Sequence, residues 1–170
     1  MRSADTKEAR FSQAYGPMSD RWDLHFMCLA YEASKMSKDP STKVGAVLVK
    51  DRRVVGTGFN GFPRGIRDDH RLDGRDTKYK IILHAEVNAL LQAGTDSAGS
   101  TMYVYGFSSA PCTRCTAQII QAGVSRVVAY GSGVPDRWKE DFEMAEDLLA
   151  EAGVELSLYP GLVPPPLLGP

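Results

Sequence analysis

Cysteine is scarce in this 170-residue chain: Cys28, Cys112 and Cys115 are too few, and too odd in number, for a disulfide framework. A surplus of either charge is also missing. Twenty basic side chains stand against 21 acidic ones, a net charge of -1, so the basic excess that grips long polyanionic nucleic acid is absent and a small substrate fits better than a polymer. No run approaches the ~20 consecutive apolar residues that a membrane helix needs. The N-terminus, Met1 to Arg10, is polar and charged, which argues against a signal peptide or an anchor and for a cytoplasmic location. There is no internal repeat.

What is present suffices for one domain with a proper core, since 43% of the residues are apolar. Ser19 and Asp20 can cap a helix running to about Met36, whose Trp22, Phe26, Met27, Ala30 and Ala33 share one face. Beyond the break at Lys38-Asp39-Pro40-Ser41, Val44–Val49 and Arg53–Phe59 read as a hairpin around Asp51-Arg52. Residues 60–78 hold three glycines, one proline and nine charged side chains without apolar periodicity, so they read as a long surface loop of the kind that often carries function.

Strand and helix then alternate: a helix from about His84 to Ala93, a strand Thr101–Tyr105, a helix Cys112–Ala122, a strand Arg126–Tyr130, a helix Trp138–Ala152 and a strand Val154–Leu158. Gly94, Gly123 and Gly153 end the three helices. This order predicts an α/β fold, a three-layer α/β/α sandwich around a five-stranded mixed sheet. A polar lead-in covers residues 1–18, one domain residues 19–159, and a tail residues 160–170, where five prolines exclude helix and central strand.

The chemistry concentrates in His84-Ala-Glu86 and Pro111-Cys-Thr-Arg-Cys115, each at the expected start of a helix. The Cys-x-x-Cys spacing lets both sulfurs reach one ion within a single turn, and the positive end of the helix favours their thiolate forms. His84, Cys112 and Cys115 make a three-residue set for one catalytic zinc, because structural sites usually have four protein ligands and catalytic ones leave a position for water. Zinc lowers the pKa of bound water to about 7. Glu86, two residues from His84, is then placed to shuttle protons. His-x-Glu followed by Pro-Cys-x-x-Cys is a signature of zinc nucleobase deaminases, in which the glutamate is acid and base and not a ligand.

Three further strings, Ser37-Lys-Asp-Pro-Ser-Thr-Lys-Val-Gly-Ala-Val47, Gly58-Phe-Asn-Gly-Phe-Pro-Arg-Gly65 and His84-Ala-Glu-Val-Asn-Ala89, join these motifs. With them the chain resembles the cytidine deaminase superfamily, and within it the deoxycytidylate (dCMP) deaminases, from about Trp22 to Leu158. The resemblance implies hydrolysis of dCMP to dUMP, the precursor of dTMP. It also implies that Asn60 hydrogen-bonds the nucleotide and that the backbone near Ser109 and Ala110 meets the pyrimidine edge. A phosphate needs cations, since burying its charge unpaired is prohibitive, and Lys43, Arg64 and Arg114 are the candidates. The family further implies a homohexamer regulated by dCTP and dTTP, with the Gly58–Gly65 string near the effector site. With no cysteine between Cys28 and Cys112, a second, structural zinc is not expected.

Glycines in Tyr130-Gly-Ser-Gly-Val-Pro-Asp136 suggest a pocket wide enough for 5-substituted dCMP. A free base, a nucleoside or tRNA adenosine remains an alternative substrate, and a zinc-stabilised module without catalysis remains an alternative function. Cys28, Trp22, Trp138 and Phe142 read as packing residues, and His25 and His70 as fillers rather than ligands. The charged run Arg67 to Lys80 suits a lid over a nucleotide and a solvated loop or subunit contact equally well.

Overall fold

The computed structural model describes residues 20–161; the polar lead-in and all but the first two residues of the proline-rich tail lie outside the described residues. Helix α1 spans Arg21–Ser34, and Asp20 caps it by accepting hydrogen bonds from the backbone of Trp22 and Asp23. Strands β1 (Gly45–Lys50) and β2 (Arg53–Phe59) form the expected hairpin. Asp51 and Arg52 take positive φ angles of 51° and 60°, the conformation that matches a tight two-residue turn to strand twist.

Next come α2 (Arg75–Ile81), α3 (Ala85–Ala93), β3 (Thr101–Phe107), α4 (Thr113–Gln121), β4 (Arg126–Ser132), α5 (Lys139–Ala152) and β5 (Glu155–Pro160). The strands form one sheet in the order β2-β1-β3-β4-β5. β1 runs antiparallel to β2 and β3, while β3, β4 and β5 run parallel, so the sheet is mixed. Pro160 ends an edge strand, where its missing N–H costs no ladder bond.

Alternation along the strands makes the layers. Ala46, Leu48, Met102, Val104 and Val127 join residues of α3, α4 and α5 in one core cluster, while Val47, Val49, Tyr103, Tyr105 and Val128 pack with α1 on the other face. The architecture is therefore the three-layer α/β/α sandwich. Asp23 fastens α1 to its face. Its carboxylate accepts two bonds from Arg126, at 2.8 and 2.7 Å, and one from the Tyr103 hydroxyl at 2.7 Å. Among the described residues no helix is long and apolar enough to cross a membrane.

The segment 60–78 departs from the loop expected of it. It contains a 3-10 turn, His70–Leu72, and the start of α2. A seven-residue helix without a side-chain cap has little stability of its own and leaves no periodic trace in sequence. A long-range ion pair holds it instead: Lys78, 5% exposed, donates to Asp39, 4% exposed, at 3.1 Å.

α3 lies unusually close to the hairpin because β2 offers it glycines. A Cβ on Gly56 would stand 2.3 Å from the Ala89 carbonyl oxygen, and one on Gly58 2.2 Å from that of Ala85. Both obstacles are backbone, so neither can rotate away. Gly58→Ala is expected to push α3 off the sheet at a cost of about 1–3 kcal/mol, the range for overpacking a tight contact. Equilibrium denaturation checks this, and unchanged stability would show that the contact yields.

Candidate active site

Two helix N-termini meet at the same end of the sheet. His84 is the N-cap residue of α3 and Cys112 that of α4, with Cys115 in the first turn of α4. Neither cap side chain hydrogen-bonds its own helix. The imidazole and thiols face each other instead, Cys112 Sγ at 3.5 Å and Cys115 Sγ at 3.3 Å from His84 Nδ1.

The three ligand atoms all lie within 4.8 Å of one another. Tetrahedral zinc, with bonds of ~2.0–2.1 Å to nitrogen and ~2.3 Å to sulfur, spaces its ligand atoms roughly 3.6 Å apart, so this cluster has the size and the donor chemistry of a zinc site. No fourth His, Cys, Asp or Glu joins the group among the described residues. Zinc held by three protein ligands keeps a position for water and draws its pKa down to about 7.

The charges around the cluster are arranged for that role. The Cys115 thiol first, and the His84 ring after it, hold the Cys112 thiol well below its ordinary value against the opposing effect of burial. Cys115 is raised, first by its bond to Cys112 and then by burial; zinc takes both sulfurs as thiolates, so its binding releases protons. Glu86 is 6% exposed, and burial pushes its carboxyl up from the ordinary range, with His84 pulling the other way. A carboxyl poised upward is suited to carry a proton near neutral pH.

These groups sit in a cavity of about 570 Å³, within the usual span for small-molecule sites. Thr42 and Asn60 line one part of it, and Phe107, Trp138 and Phe142 another. Those three rings pack on one another, with centroids 6.1 Å apart for Phe107–Trp138 and 6.3 Å for Trp138–Phe142. Trp138 and Phe142 are thus both packing residues and cavity wall.

The other residues expected at the site fall into two groups. Asn60, Ser109, Ala110 and Arg114 line the cavity, whereas Lys43 and Arg64 do not. The exposed Lys43 donates instead to the Ser37 carbonyl at 2.6 Å, and Arg64 is exposed on the loop after β2. Asn60 is tied to the backbone by both ends of its amide: Oδ1 accepts from Val44 N and Nδ2 donates to the Thr42 carbonyl, each at 2.8 Å. One N–H and one lone pair of that amide remain.

The glycine-rich segment suspected of widening the pocket does not line it. Gly131 answers a different need. A Cβ there would come within 2.2 Å of the Gly106 carbonyl oxygen, so β3 and β4 require it for their close approach.

Several lining residues were not expected from sequence: Arg75, Lys78 and Tyr79 from the charged run, then Arg137 and Asp141. The mixed signs of residues 67–80 conceal which of them turn inward. Only the fold separates Lys78, which is buried, from its exposed neighbour Lys80. His25 packs its ring on Phe26, centroids 4.9 Å apart, and belongs to no metal-sized group among the described residues.

The ligand assignment has a direct check that needs no turnover. His84→Ala is expected to lose tightly held zinc on dialysis, while Glu86→Gln keeps one zinc per chain, as measured by elemental analysis. Zinc retained by His84→Ala would remove the assignment.

A family model for the cytidine and deoxycytidylate deaminase zinc-binding region matches residues 20–131. A protein of Aliivibrio fischeri described as an uncharacterised deaminase in the luxG 3′ region is 41% identical over 145 residues, covering 84% of this chain and 97% of that one. The deoxycytidylate deaminase of Homo sapiens is 40% identical over 115 residues, and the match spans 63% of each chain. Among solved structures, the dCMP deaminase of cyanophage S-TIM5 in complex with dCMP and dUMP superposes with a TM-score of 0.63 at 28% identity, over 78% of this chain and 93% of that one. The metal-sized His84, Cys112 and Cys115 cluster lies within the matched residues, and the chain belongs to the cytidine and deoxycytidylate deaminase zinc-binding family.

Proposed function

We propose that this chain hydrolyses dCMP to dUMP and ammonia. The observation that carries the reading is the three-ligand cluster beside buried Glu86, in a cavity with cations at its rim. Chain relatives named deoxycytidylate deaminase, and a structural neighbour holding dCMP and dUMP, support the choice of substrate.

The step balances with water alone. The oxygen of water adds to C4 of the cytosine ring, the C4–amino bond breaks, and the amino group leaves as ammonia. Glu86 takes one proton from the attacking water and delivers it to ring N3, then carries the second to the departing nitrogen. The remaining N–H and lone pair of the Asn60 amide can meet the nucleotide while its other two bonds keep it aimed. The backbone at Ser109 and Ala110 faces the pyrimidine edge.

For the phosphate, Arg114 of the sequence-based set is joined by Arg75 and Arg137. All three line the cavity, are exposed, and have no ion-pair partner among the described residues. The first turn of α2 and the turn before α5, which carry Arg75 and Arg137, are brought together by the Tyr79–Trp138 ring contact at 6.4 Å. A phosphate between two such segments would be met from both sides.

The reading extends to a cytoplasmic homohexamer switched by dCTP and dTTP. In support, the Gly58–Gly65 string is bound to the site: Gly61 and Leu83 exchange backbone hydrogen bonds at 3.0 and 2.9 Å, and Leu83 precedes the ligand His84. An effector that moved this loop would act on the ligand directly.

Ammonia release from dCMP, CMP, deoxycytidine and adenosine, run side by side, tests the substrate. dCMP is expected to react fastest, and equal rates on deoxycytidine would overturn the nucleotide reading. Glu86→Gln is expected to lower kcat by at least about 10²- to 10⁴-fold, the usual worth of acid–base catalysis. Arg75→Gln and Arg137→Gln are each expected to lower kcat/KM for dCMP by roughly 10-fold or more while sparing deoxycytidine, since a charge-assisted bond contributes about 1.5–3 kcal/mol. An equal fall on both substrates would exclude a phosphate role.

A further inference from the structure

The helix that carries the cysteines begins without a cap of its own. An α-helix opens with N–H groups that have no partner inside it, and Ser, Thr, Asp or Asn at the N-cap position ordinarily accepts from one of them. In α4 that position is Cys112, which makes no capping bond and whose sulfur is turned to His84. A sulfur directed at the metal is a weak acceptor for the helix, which leaves the first N–H groups of α4 in need of another partner.

The acceptor comes from another element. Asp141, in the first turn of α5, takes the Thr113 N–H on Oδ2 at 3.0 Å. The Thr113 hydroxyl lies 2.7 Å from Oδ1 and 2.9 Å from the Asp141 carbonyl oxygen, and its single hydrogen serves one of them at a time. Thr113 stands between the two cysteines. On the inner side of the same turn, the buried Thr116 hydroxyl donates to the Pro111 carbonyl at 3.0 Å. The Pro111–Cys115 turn is therefore gripped from both flanks, by its own helix inside and by α5 outside.

We propose that Asp141 is a positioning residue for the metal turn: it takes the first N–H of α4, at Thr113, and thereby sets how tightly the two sulfurs hold zinc. Its charge suits the place. The carboxylate sits in the first turn of α5 and against the first N–H of α4, so two helix dipoles favour it there, and α5 itself has no side-chain cap. Without the Asp141 carboxylate the Thr113 N–H would turn to water, its hydroxyl would keep only the backbone carbonyl of residue 141, and the turn would be freer to open. Residues that orient the side chains holding a metal are typically worth 10- to 100-fold in metal affinity.

This inference rests on the zinc assignment above and not on which nucleotide is turned over. It is tested on the full chain by competing a chromophoric chelator for zinc, with the melting temperature of the metal-free protein recorded alongside. Asp141→Ala is expected to weaken zinc binding by about 10- to 100-fold. Asp141→Asn, which keeps an oxygen for the Thr113 N–H, is expected to recover most of that loss.

Thr113→Ala removes only the hydroxyl half of the contact, leaves both helices intact, and is expected to weaken zinc by a smaller factor. It keeps the proposal open to refutation should Asp141→Ala not fold. A mere tie between α4 and α5 would lower the melting temperature and leave zinc affinity within about twofold of the parent in either variant, and that result overturns the proposal. Zinc affinity that follows the expected order in a protein without activity on dCMP would sink the proposed reaction and leave this inference standing.

Discussion

The molecule is organised by the need to bring one imidazole and two sulfurs to a point from two different helices. Their separations, 3.3 and 3.5 Å from His84 Nδ1, leave little room for error. Displacing either helix by an ångström would take the cluster outside tetrahedral zinc geometry. Much of the fold can be understood as holding those helix ends. Gly56 and Gly58 let α3 press onto the hairpin, and β3 and β4, running parallel with Gly106 and Gly131 facing, bring the chain to Pro111 at the same end of the sheet. The open end of the sandwich is where polar and charged groups can reach solvent, yet Glu86 is buried beside the cluster, as are Asp39 and Lys78 at the cavity edge.

How much of this was legible in the sequence follows from what each feature depends on. The sandwich was legible because strands and helices buried on one face write their period into the chain: Val47 and Val49 face α1, while Ala46 and Leu48 face α3. The metal cluster was legible because zinc accepts few side chains at few spacings, so His84, Cys112 and Cys115 announce themselves without a fold. The three-residue ligand set and Glu86 need only local sequence to be recognised.

The rest depended on contacts that no local pattern records. α2 exists because Lys78 finds Asp39 across 39 positions, and a pairing of that kind has no period. Asp39 also accepts from the backbone of Ser41 and Thr42, so the same pair shapes the cavity edge. The cations at the rim were hidden for the opposite reason. Exposed arginines are common, and Arg75 and Arg137 differ from Arg64 only in which way the fold turns them. Gly131 misled because a glycine that permits strand packing and one that widens a pocket look alike in sequence.

The coordination shell is what the rest of the molecule serves, and X-ray absorption at the zinc edge of the metal-loaded protein measures it without reference to turnover. Two sulfur scatterers at about 2.3 Å and two lighter atoms at about 2.0–2.1 Å, one of them exchangeable with solvent, are the predicted result. A shell with fewer than two sulfurs, or one closed by a fourth protein ligand with nothing left to exchange, would contradict it.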